Sequence, residues 1–464
     1  MRRGYLIFTL WVIASYLSAV SSQGRHDYSC RTYQEGQAVE GPCGQRCICI
    51  NERLRYCCRQ RKDFPSMTRE ERLRYVNTVI KASTHRRYRR QYNRIIAMHS
   101  RLFDTGIHDK QQFLPWHRWF LLRYENFLRK VDCRVTLPYW DWSLFASGVW
   151  RTGIDDIWSN KPWGLGGNGQ RKKSRRAGCV KSGRFGQRKW RLTPSARRGC
   201  LRRRFSGRAP DIIALHLTKA HSPREFTEFE LDVRANLHDA FHCRIGGTMC
   251  AHNSANAPEF FLHHAHIDKI WADWQAKSND HMEAYFTTVP RHVQMEGNDF
   301  HPSDYIDTFN LPHPNVDRYD DYICVMYQDP AHPLYKEITR RLEKLSTREV
   351  RNIPRQYFPP ATTRQLRRLG VKKKERRHAR KLLKKELEPK KIIRKSQLRK
   401  EYDKLLGFNF EAIPFRFISR DLPARNTSLT YDRWLARSRN AAEMFSEDLE
   451  FSRRANISKS YITN

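Results

Sequence analysis

Beyond its first 22 residues the sequence has no apolar run long enough to cross a membrane, no repeat of fixed period and few acidic residues. The missing apolar run excludes a membrane span in the body of the chain. The missing repeat excludes a solenoid or a string of identical units. Acidic residues number 48 against 87 lysines and arginines, and the formal net charge of +39 indicates an anionic partner or surface.

The start of the chain is typical of a secretory signal peptide. Arg2 precedes a short apolar run at 5–17, and small residues around Ser21 follow. A signal anchor is the less favoured alternative, because the run is too short to span a bilayer comfortably. We therefore expect cleavage around residues 20–23 and a secreted, extracellular protein.

Twelve cysteines, an even number, agree with an oxidising compartment. Six of them lie between Cys30 and Cys58, where three disulfides are the simplest interpretation and a zinc site is the alternative. Six cysteines allow about fifteen pairings, so the sequence does not choose among them. The triplets at Asn426 and Asn456 are glycosylation acceptors wherever they are exposed.

Shifts in composition divide the chain into four parts. We expect a signal peptide at 1–22, a cysteine-rich disulfide module at 23–62, a large domain at 63–330 and a basic C-terminal extension at 331–464.

The large domain carries several helical patterns. Thr68 and Glu71 form a capping box ahead of apolar residues at helical spacing. Further helices are predicted after Pro115, at 226–241 and at 258–274, and loops are predicted at 137–142 and 164–169. The stretch 170–210 has no clear period and is predicted to be irregular and tied by Cys179 and Cys200.

In the C-terminal extension, lysine and arginine make up nearly half of residues 364–404. Apolar residues spaced by three and four from Tyr335 to about Leu406 predict one or two surface helices interrupted at prolines. A partly disordered basic arm is the alternative.

Histidines fall into two clusters. The first holds His99, His108 and His117, and the second holds His238, His242 and the adjacent pair His263 and His264. Residues four apart on a helix, such as the first two of the second cluster, project their rings from one face. Both clusters lie in aromatic and aliphatic sequence, where an unpaired imidazole is costly and a bound metal removes that cost. The pattern predicts three imidazoles around each of two metal ions.

The donor set narrows the choice of metal. Di-iron bundles use glutamates with a Glu-x-x-His repeat, which is missing here. Zinc hydrolases often add a carboxylate to their histidines. Six neutral imidazoles with no thiolate or carboxylate favour copper.

Three segments around these histidines resemble signatures of the tyrosinase family. They are FLPWHRWFL at 113–121, LPYWDW at 137–142 and PEFFLHHAHID at 258–268. The likeness covers roughly residues 60–330, and with the cysteine-rich front the chain is similar to a secreted, invertebrate-type tyrosinase.

The resemblance implies a mainly α fold with a four-helix-bundle dicopper core and long loops. The cysteine-rich module would precede that core and the basic extension would follow it. The first cluster (His99, His108, His117) matches the ligands of one copper, and the second (His238, His242, His264) matches those of the other. Asp268 is expected to orient ligand rings through their N–H groups. His263, the neighbour of a ligand, matches a non-ligand position, and His85, His252 and His266 fit no ligand position.

The implied activity is oxidation of o-diphenols to o-quinones with O2, and in full tyrosinases hydroxylation of monophenols first. Such quinones serve melanin formation, sclerotisation or cross-linking of extracellular matrix. Glu230 matches, by spacing, a glutamate that holds a catalytic water in some members. Asp239 stands where those members have the partner asparagine, and its charge changes the field at that water.

Two cysteine questions follow from the resemblance. Gly106 stands where some members carry a cysteine that forms a thioether to a ligand, so no such link is expected. Cys243 directly follows a proposed ligand, and a free thiol there would invite oxidation. We therefore predict that it pairs with Cys250.

Two other functions remain open at this stage. One is an oxygen carrier of the haemocyanin kind, although such carriers normally show repeated units. The other is a catalytically weak matrix protein that binds acidic polymers through its basic tail. Residues 364–404 are expected to bind acidic polysaccharide or matrix protein rather than nucleic acid, which a secreted chain rarely meets. A segment at 407–464 that covers the copper entrance is a further alternative.

Overall fold

The structure, a computed structural model, describes residues 29–170, 177–312 and 323–394, together with residues 396, 397, 400 and 401. The signal peptide, both glycosylation triplets and the 407–464 segment lie outside these residues and stay predictions. The division into four parts also stays a prediction. None of the described helices combines the length and apolarity that a membrane crossing requires.

The N-terminal module forms most of a small sheet. Strands β1 (Ala38–Glu40), β2 (Arg46–Ile50) and β3 (Arg53–Arg61) pair antiparallel in sequence order. Strand β6 (Cys324–Tyr327), from almost 270 residues later, adds to β3 in parallel with Cys58 opposite Cys324. The module is therefore joined to the chain that follows the large domain.

Six disulfides account for all twelve cysteines. The expectation of three disulfides within the first six cysteines is wrong, because two pairs lie inside the module and two link it outward. The pairs are Cys30–Cys49 and Cys47–Cys57 inside, and Cys43–Cys133 and Cys58–Cys324 outward. The zinc alternative is wrong as well, since no thiol is free to bind metal.

Of the next three helices, the last two carry two histidines of the first cluster, and the loop between those two helices carries the remaining one. Helix α1 (Arg69–Thr84) begins at the predicted capping box of Thr68 and Glu71, which is confirmed. Helix α2 (Arg86–Arg101) follows after one residue, and α3 (Phe113–Arg129) begins two residues before Pro115. Proline is tolerated there because the first turn of a helix leaves its N–H groups unpaired. Helix α2 packs against both α1 and α3.

The 137–142 and 164–169 segments are loops, as predicted, and the 177–210 stretch is largely irregular. The 177–210 stretch contains the two-residue strands β4 (Gly178–Cys179) and β5 (Arg202–Arg203). Its disulfide between Cys179 and Cys200 confirms the predicted pairing of these cysteines.

One continuous helical stretch carries the start of the second cluster. It comprises α5 (Phe226–Leu231), a π-helical segment (Asp232–Asp239) and α6 (Ala240–Ile245), and it follows the short helix α4 (Ile212–Lys219). Wider π turns are found disproportionately at functional sites. Helix α7 (Glu259–Gln275) packs against α3, α4 and the π-helical segment. A short helix α8 (Asn279–Glu283) comes next.

Eight short 3-10 turns lie between these helices and strands in the described chain before β6. They span Phe64–Ser66, Ala146–Gly148, Pro194–Ala196, Pro223–Glu225, Gly247–Cys250, Ser254–Asn256, Ala284–Thr287 and Pro302–Tyr305.

The C-terminal part is helical but more finely divided than predicted. It contains α9 (Pro333–Glu343), α10 (Thr347–Asn352), α11 (Thr363–Arg368), α12 (Lys373–Leu382) and a π-helical turn (Leu383–Leu387). The expected one or two helices are wrong in number. Prolines at 354, 359 and 360 separate α10 from α11, as predicted, but two further breaks fall at the capping box of Ser346 and at Gly370, whose φ is +84°. The alternative of a partly disordered basic arm is also wrong for the described residues of this part, because they form helices.

Helices α11 and α12 are held on the domain by an apolar face. Leu366, Ala379 and Leu382 are buried against Leu231 and Ala235 of the helical stretch 226–245. The main core, by contrast, is dominated by aromatic side chains. Six tryptophans are almost completely buried: Trp116, Trp119, Trp142, Trp158, Trp271 and Trp274.

Candidate metal centre

The first histidine cluster converges on one point. His99 lies in the last turn of α2, His108 in the loop before α3, and His117 in the second turn of α3. One ring nitrogen from each lies within 4.8 Å of the others. His99 and His117 are buried, and His108 is partly exposed.

Local backbone groups orient two of these rings. His117 Nδ1 lies 2.7 Å from the carbonyl oxygen of Phe113, one turn earlier in α3, and His108 Nδ1 lies 3.3 Å from that of Phe103. A proton on Nδ1 donates to each carbonyl and leaves Nε2 as a lone-pair donor. Among the described residues, His117 Nε2 and both nitrogens of His99 have no hydrogen-bond partner. Burying a polar nitrogen without a hydrogen bond costs free energy of folding, and a bound metal removes that cost.

The second cluster converges in the same way. His238 lies in the π-helical segment, His242 in α6 and His264 in α7, with one nitrogen from each within 4.8 Å of the others. His242 Nδ1 lies 2.7 Å from the carbonyl of Met249, and His238 Nδ1 lies 3.0 Å from Oδ1 of Asp239.

The inner nitrogens of this cluster face one another. Nε2 of His264 lies 3.2 Å from Nε2 of His238 and 3.0 Å from Nε2 of His242. A single Nε2–H can satisfy one of these contacts at most, so lone pairs are left facing each other. A cation between the rings removes this repulsion. Three nitrogen donors with no thiolate or carboxylate fit copper.

Burial keeps the six rings in the form that binds metal. It lowers the pKa of His99, His117, His238 and His264 well below the usual value, and neighbouring imidazoles add to the effect. Burial likewise lowers the pKa of His108 to about 3 and that of His242 to about 4. All six are therefore neutral near pH 7, as coordination requires.

The two clusters share a wall. The rings of His117 and His264 stack at 4.6 Å between centroids, and Phe260 lies 4.0 Å from the second ring. Phe113 packs edge-on against His238 at 4.8 Å. These aromatic side chains exclude water from two adjacent sites, which is the arrangement a metal pair needs.

A buried ion pair ties the helices of the two clusters together. Arg118, next to His117 on α3, donates from Nε to Oδ1 of Asp268 on α7 at 2.7 Å. Oδ2 of Asp268 accepts from the hydroxyl of Tyr327 at 2.5 Å and lies 3.5 Å from a nitrogen of Arg61. The prediction that Asp268 orients ligand rings is wrong, because its partners are these arginines and the tyrosine.

Glu230 and Asp239 lie on the same helical stretch but make different contacts. Glu230 is buried and accepts two bonds from Arg234, at 2.6 and 3.3 Å. Burial raises the pKa of Glu230, and Arg234 opposes that rise. Asp239 contacts His238 through Oδ1, and its Oδ2 has no hydrogen-bond partner among the described residues. Burial raises the pKa of Asp239 well above its usual value.

Arg234 has a second acid partner in the C-terminal part. Its Nη2 donates to Glu375 of α12 at 2.6 Å, and Lys372, just before that helix, pairs with Asp109 beside His108. The sequence carried no signal for these partners, since more than 100 residues separate them. Ion pairs thus link α12 and the residue before it to the two chain segments that carry His108 and His238.

The other histidines have structural surroundings. His263 accepts from Trp142 Nε1 at 3.1 Å, and His266 lies 3.4 Å from Asp141. His85 caps α2 and His252 is half exposed. Cys243 pairs with Cys250, which confirms that prediction, and no thiol is available for a thioether.

Comparisons with known proteins give a family model and several relatives for this chain. The common central domain of tyrosinase matches residues 89–277. The grixazone synthase of Streptomyces griseus is 33% identical over 289 residues, which cover 50% of this chain and 88% of that protein. A tyrosinase of Streptomyces lincolnensis is 32% identical over 241 residues, covering 47% and 82%. A variant polyphenol oxidase of Thermothelomyces thermophila aligns with a TM-score of 0.43 at 19% identity, covering 59% of this chain and 89% of that one.

The class defined by two such histidine triads is that of binuclear copper proteins. This chain belongs to the tyrosinase family, as its matched domain and its relatives show.

Proposed function

We propose that this protein is a secreted, copper-dependent oxidase that converts o-diphenols to o-quinones with molecular oxygen. The observation that supports it is the pair of buried, neutral histidine triads with inward-facing nitrogens in a tyrosinase domain. The two leading relatives, named a grixazone synthase and a tyrosinase, are consistent with chemistry on phenols.

In this proposal each triad holds one copper ion. The copper pair would supply the electron transfer between the phenol and O2. The protein would contribute geometry: backbone carbonyls at Phe113 and Met249 orient His117 and His242, and the aromatic walls exclude bulk water. The helices α2, α3, 226–245 and α7 would form the four-helix bundle around the pair.

His108 marks the side from which a phenol would enter. It is partly exposed, whereas the other five triad histidines are buried. Phe103 packs 4.5 Å from its ring and stacks on His252, so the rim there is aromatic. An aromatic rim suits a phenol ring, which binds by offset or edge-on contact.

Hydroxylation of monophenols is a separate proposal that rests on Glu230 and Asp239. A base near the second copper would deprotonate the phenol, and Oδ2 of Asp239, which has no hydrogen-bond partner in the described part of the chain, could hold the water that does so. Glu230 is already engaged by Arg234. Diphenol oxidation does not need this step.

The products suggest roles in melanin formation, sclerotisation or matrix cross-linking. Six disulfides support an oxidising, extracellular setting. Acidic matrix polymers are the proposed partners of residues 364–404. In the described part, the outer face of α12 presents Lys373, Lys374 and Arg377 to solvent.

The direct test is catechol turnover together with metal analysis. The copper-loaded protein should bind a pair of copper ions and oxidise L-DOPA, whereas His117→Ala should lose copper and activity. His85→Ala, which removes an exposed histidine at the start of α2, is the matched control and should keep both. Full copper content and turnover in His117→Ala would contradict the proposed ligands. Copper binding without turnover in the unaltered protein would favour an oxygen carrier.

A further inference from the structure

Two long stretches of this chain contain no acidic residue at all. One runs between Glu71 and Asp104 and includes all of α2, and the other runs between Asp156 and Asp211. Both are rich in arginine. Their positive charge is separate in sequence from that of residues 364–404.

The fold brings these two stretches together. The 3-10 turn Pro194–Ala196 packs on α2, and Trp190 Nε1 donates to the hydroxyl of Ser83 at 3.0 Å. Two depressions, of about 360 and 500 Å³, run between them and meet at Asn93 and Pro194, which line both. The result is one open groove along the exposed side of α2.

Among the residues that the structure describes, cations line the groove and carboxylates do not. The smaller depression is lined by Arg89, Arg188, Lys189, Arg191 and Arg198. The larger one is lined by Arg90, Arg94, Arg101 and Arg123. No side chain of these nine forms an ion pair within 29–170, 177–312 and 323–394.

The backbone of the groove is strained where two of the arginines stand. Arg188 and Arg198 have φ values of +74° and +47°, in the left-handed region that favours glycine. Non-glycine residues persist there when the surroundings hold them, and such positions cluster at binding sites. Burial and the neighbouring Arg101 lower the pKa of Arg123, as expected where like charges crowd together.

We propose that this groove binds a sulfated polysaccharide. Guanidinium groups present paired N–H donors that match the oxygens of sulfate and carboxylate. The cations extend along two joined depressions, which suits a linear polymer better than a single small anion. In the described part of the groove, the aromatic lining residues Tyr92 and Trp190 are buried and offer no ring for the base stacking that single-stranded nucleic acid uses. The groove does not depend on copper, so this inference stands apart from the proposed oxidase activity.

The test compares two variants of equal charge in the full, copper-loaded protein. The groove variant carries four changes to glutamine, at Arg89, Arg188, Arg191 and Arg198. The matched control carries four at Arg53, Arg224, Lys344 and Arg348, which are exposed cations outside both the groove and residues 364–404. Binding to heparin is measured by salt elution and by titration, and L-DOPA oxidation checks that both variants are folded.

The groove variant should bind heparin about tenfold more weakly, because four exposed charge contacts are lost. The control should change less, and L-DOPA oxidation should be equal in both. Equal weakening in the two variants, or a larger loss in the control, would overturn the groove as the site. Tighter groove-dependent binding of a DNA duplex than of heparin at the same salt would overturn the polysaccharide as the ligand.

Discussion

Replacing Arg118 by methionine should destabilise the protein and weaken its hold on copper together. The Arg118 side chain is fully buried and donates to Asp268 Oδ1 at 2.7 Å and to Gln275 Oε1 at 3.0 Å. It also lies 3.8 Å over the ring of Trp271 and donates to the carbonyl of Tyr305. Methionine fills part of the space but donates to none of these groups.

The size of the expected loss in folding stability follows from the contacts that Asp268 keeps in Arg118→Met. Asp268 would keep Tyr327 and a long contact to Arg61, but its carboxylate would stay 4% exposed without its closest cation. Removing one partner of a buried ion pair typically costs about 3–5 kcal/mol. A domain usually has about 5–15 kcal/mol of stability in all, so the loss is large. Since α3 carries His117 and α7 carries His264, loosening their link should also lower copper affinity.

Denaturant unfolding of the apoprotein, followed by tryptophan fluorescence, measures the first effect. Copper content after dialysis against a weak chelator measures the second. Arg340→Met, which breaks an exposed pair with Glu337, is the control and should leave the unfolding midpoint unchanged. If Arg118→Met unfolds within about 1 kcal/mol of the original protein, the pair does not hold the two helices together.

Three further predictions concern pH, the C-terminal helix and the metal. Burial, with Asp141 close by, raises the pKa of Asp63 from 3.8 to about 7, so the folded protein binds more protons than the unfolded one between these values. The contribution of Asp63 to stability should therefore fall as pH rises from 4 to 7, against the rise in total stability that the six triad histidines with lowered pKa values cause over the same range. Melting curves should show that the stability of Asp63→Asn rises more steeply with pH than that of the original protein; parallel curves would contradict the assignment. Glu375 raises the pKa of Glu230, so Glu375→Gln should shift the acid limb of the L-DOPA pH–rate profile to lower pH; an unmoved limb would mean that Glu230 does not control it. In the proposed function copper stabilises the folded state, so a chelator should lower the melting temperature of the copper-loaded protein, and His117→Ala, which lacks one ligand of the first triad, should show a smaller fall.

Local sequence patterns predicted much of the site. The six histidines of the two triads, the capping box at Thr68 and the pair Cys243–Cys250 depend on residues within a few turns of each other. Such short-range features follow from helix periodicity and motif spacing, which the sequence displays directly.

Other features could not be predicted in this way. Cys58 pairs with a cysteine 266 positions later, and Asp268 finds Arg118 rather than a histidine ring. The prolines after α10 could be read from the sequence. The number of helices in the C-terminal part could not, because it depended on which apolar residues pack against the helical stretch 226–245. Several cysteines could pair with Cys58 and several cations could pair with Asp268 on chemical grounds, and only the distances in the folded protein decide which of them do.

By itself, then, the sequence predicted which side chains could bind copper, because ligand type, helical spacing and the motifs of the resemblance are local properties. Tertiary structure decided how the triads are held: Arg118 joins α3 to α7, and Glu375 and Lys372 pair with Arg234 and Asp109, in the chain segments that carry His238 and His108. It also decided that two arginine-rich stretches line one groove. These contacts join residues far apart in sequence, and only the packing of the whole core brings them within a few ångströms.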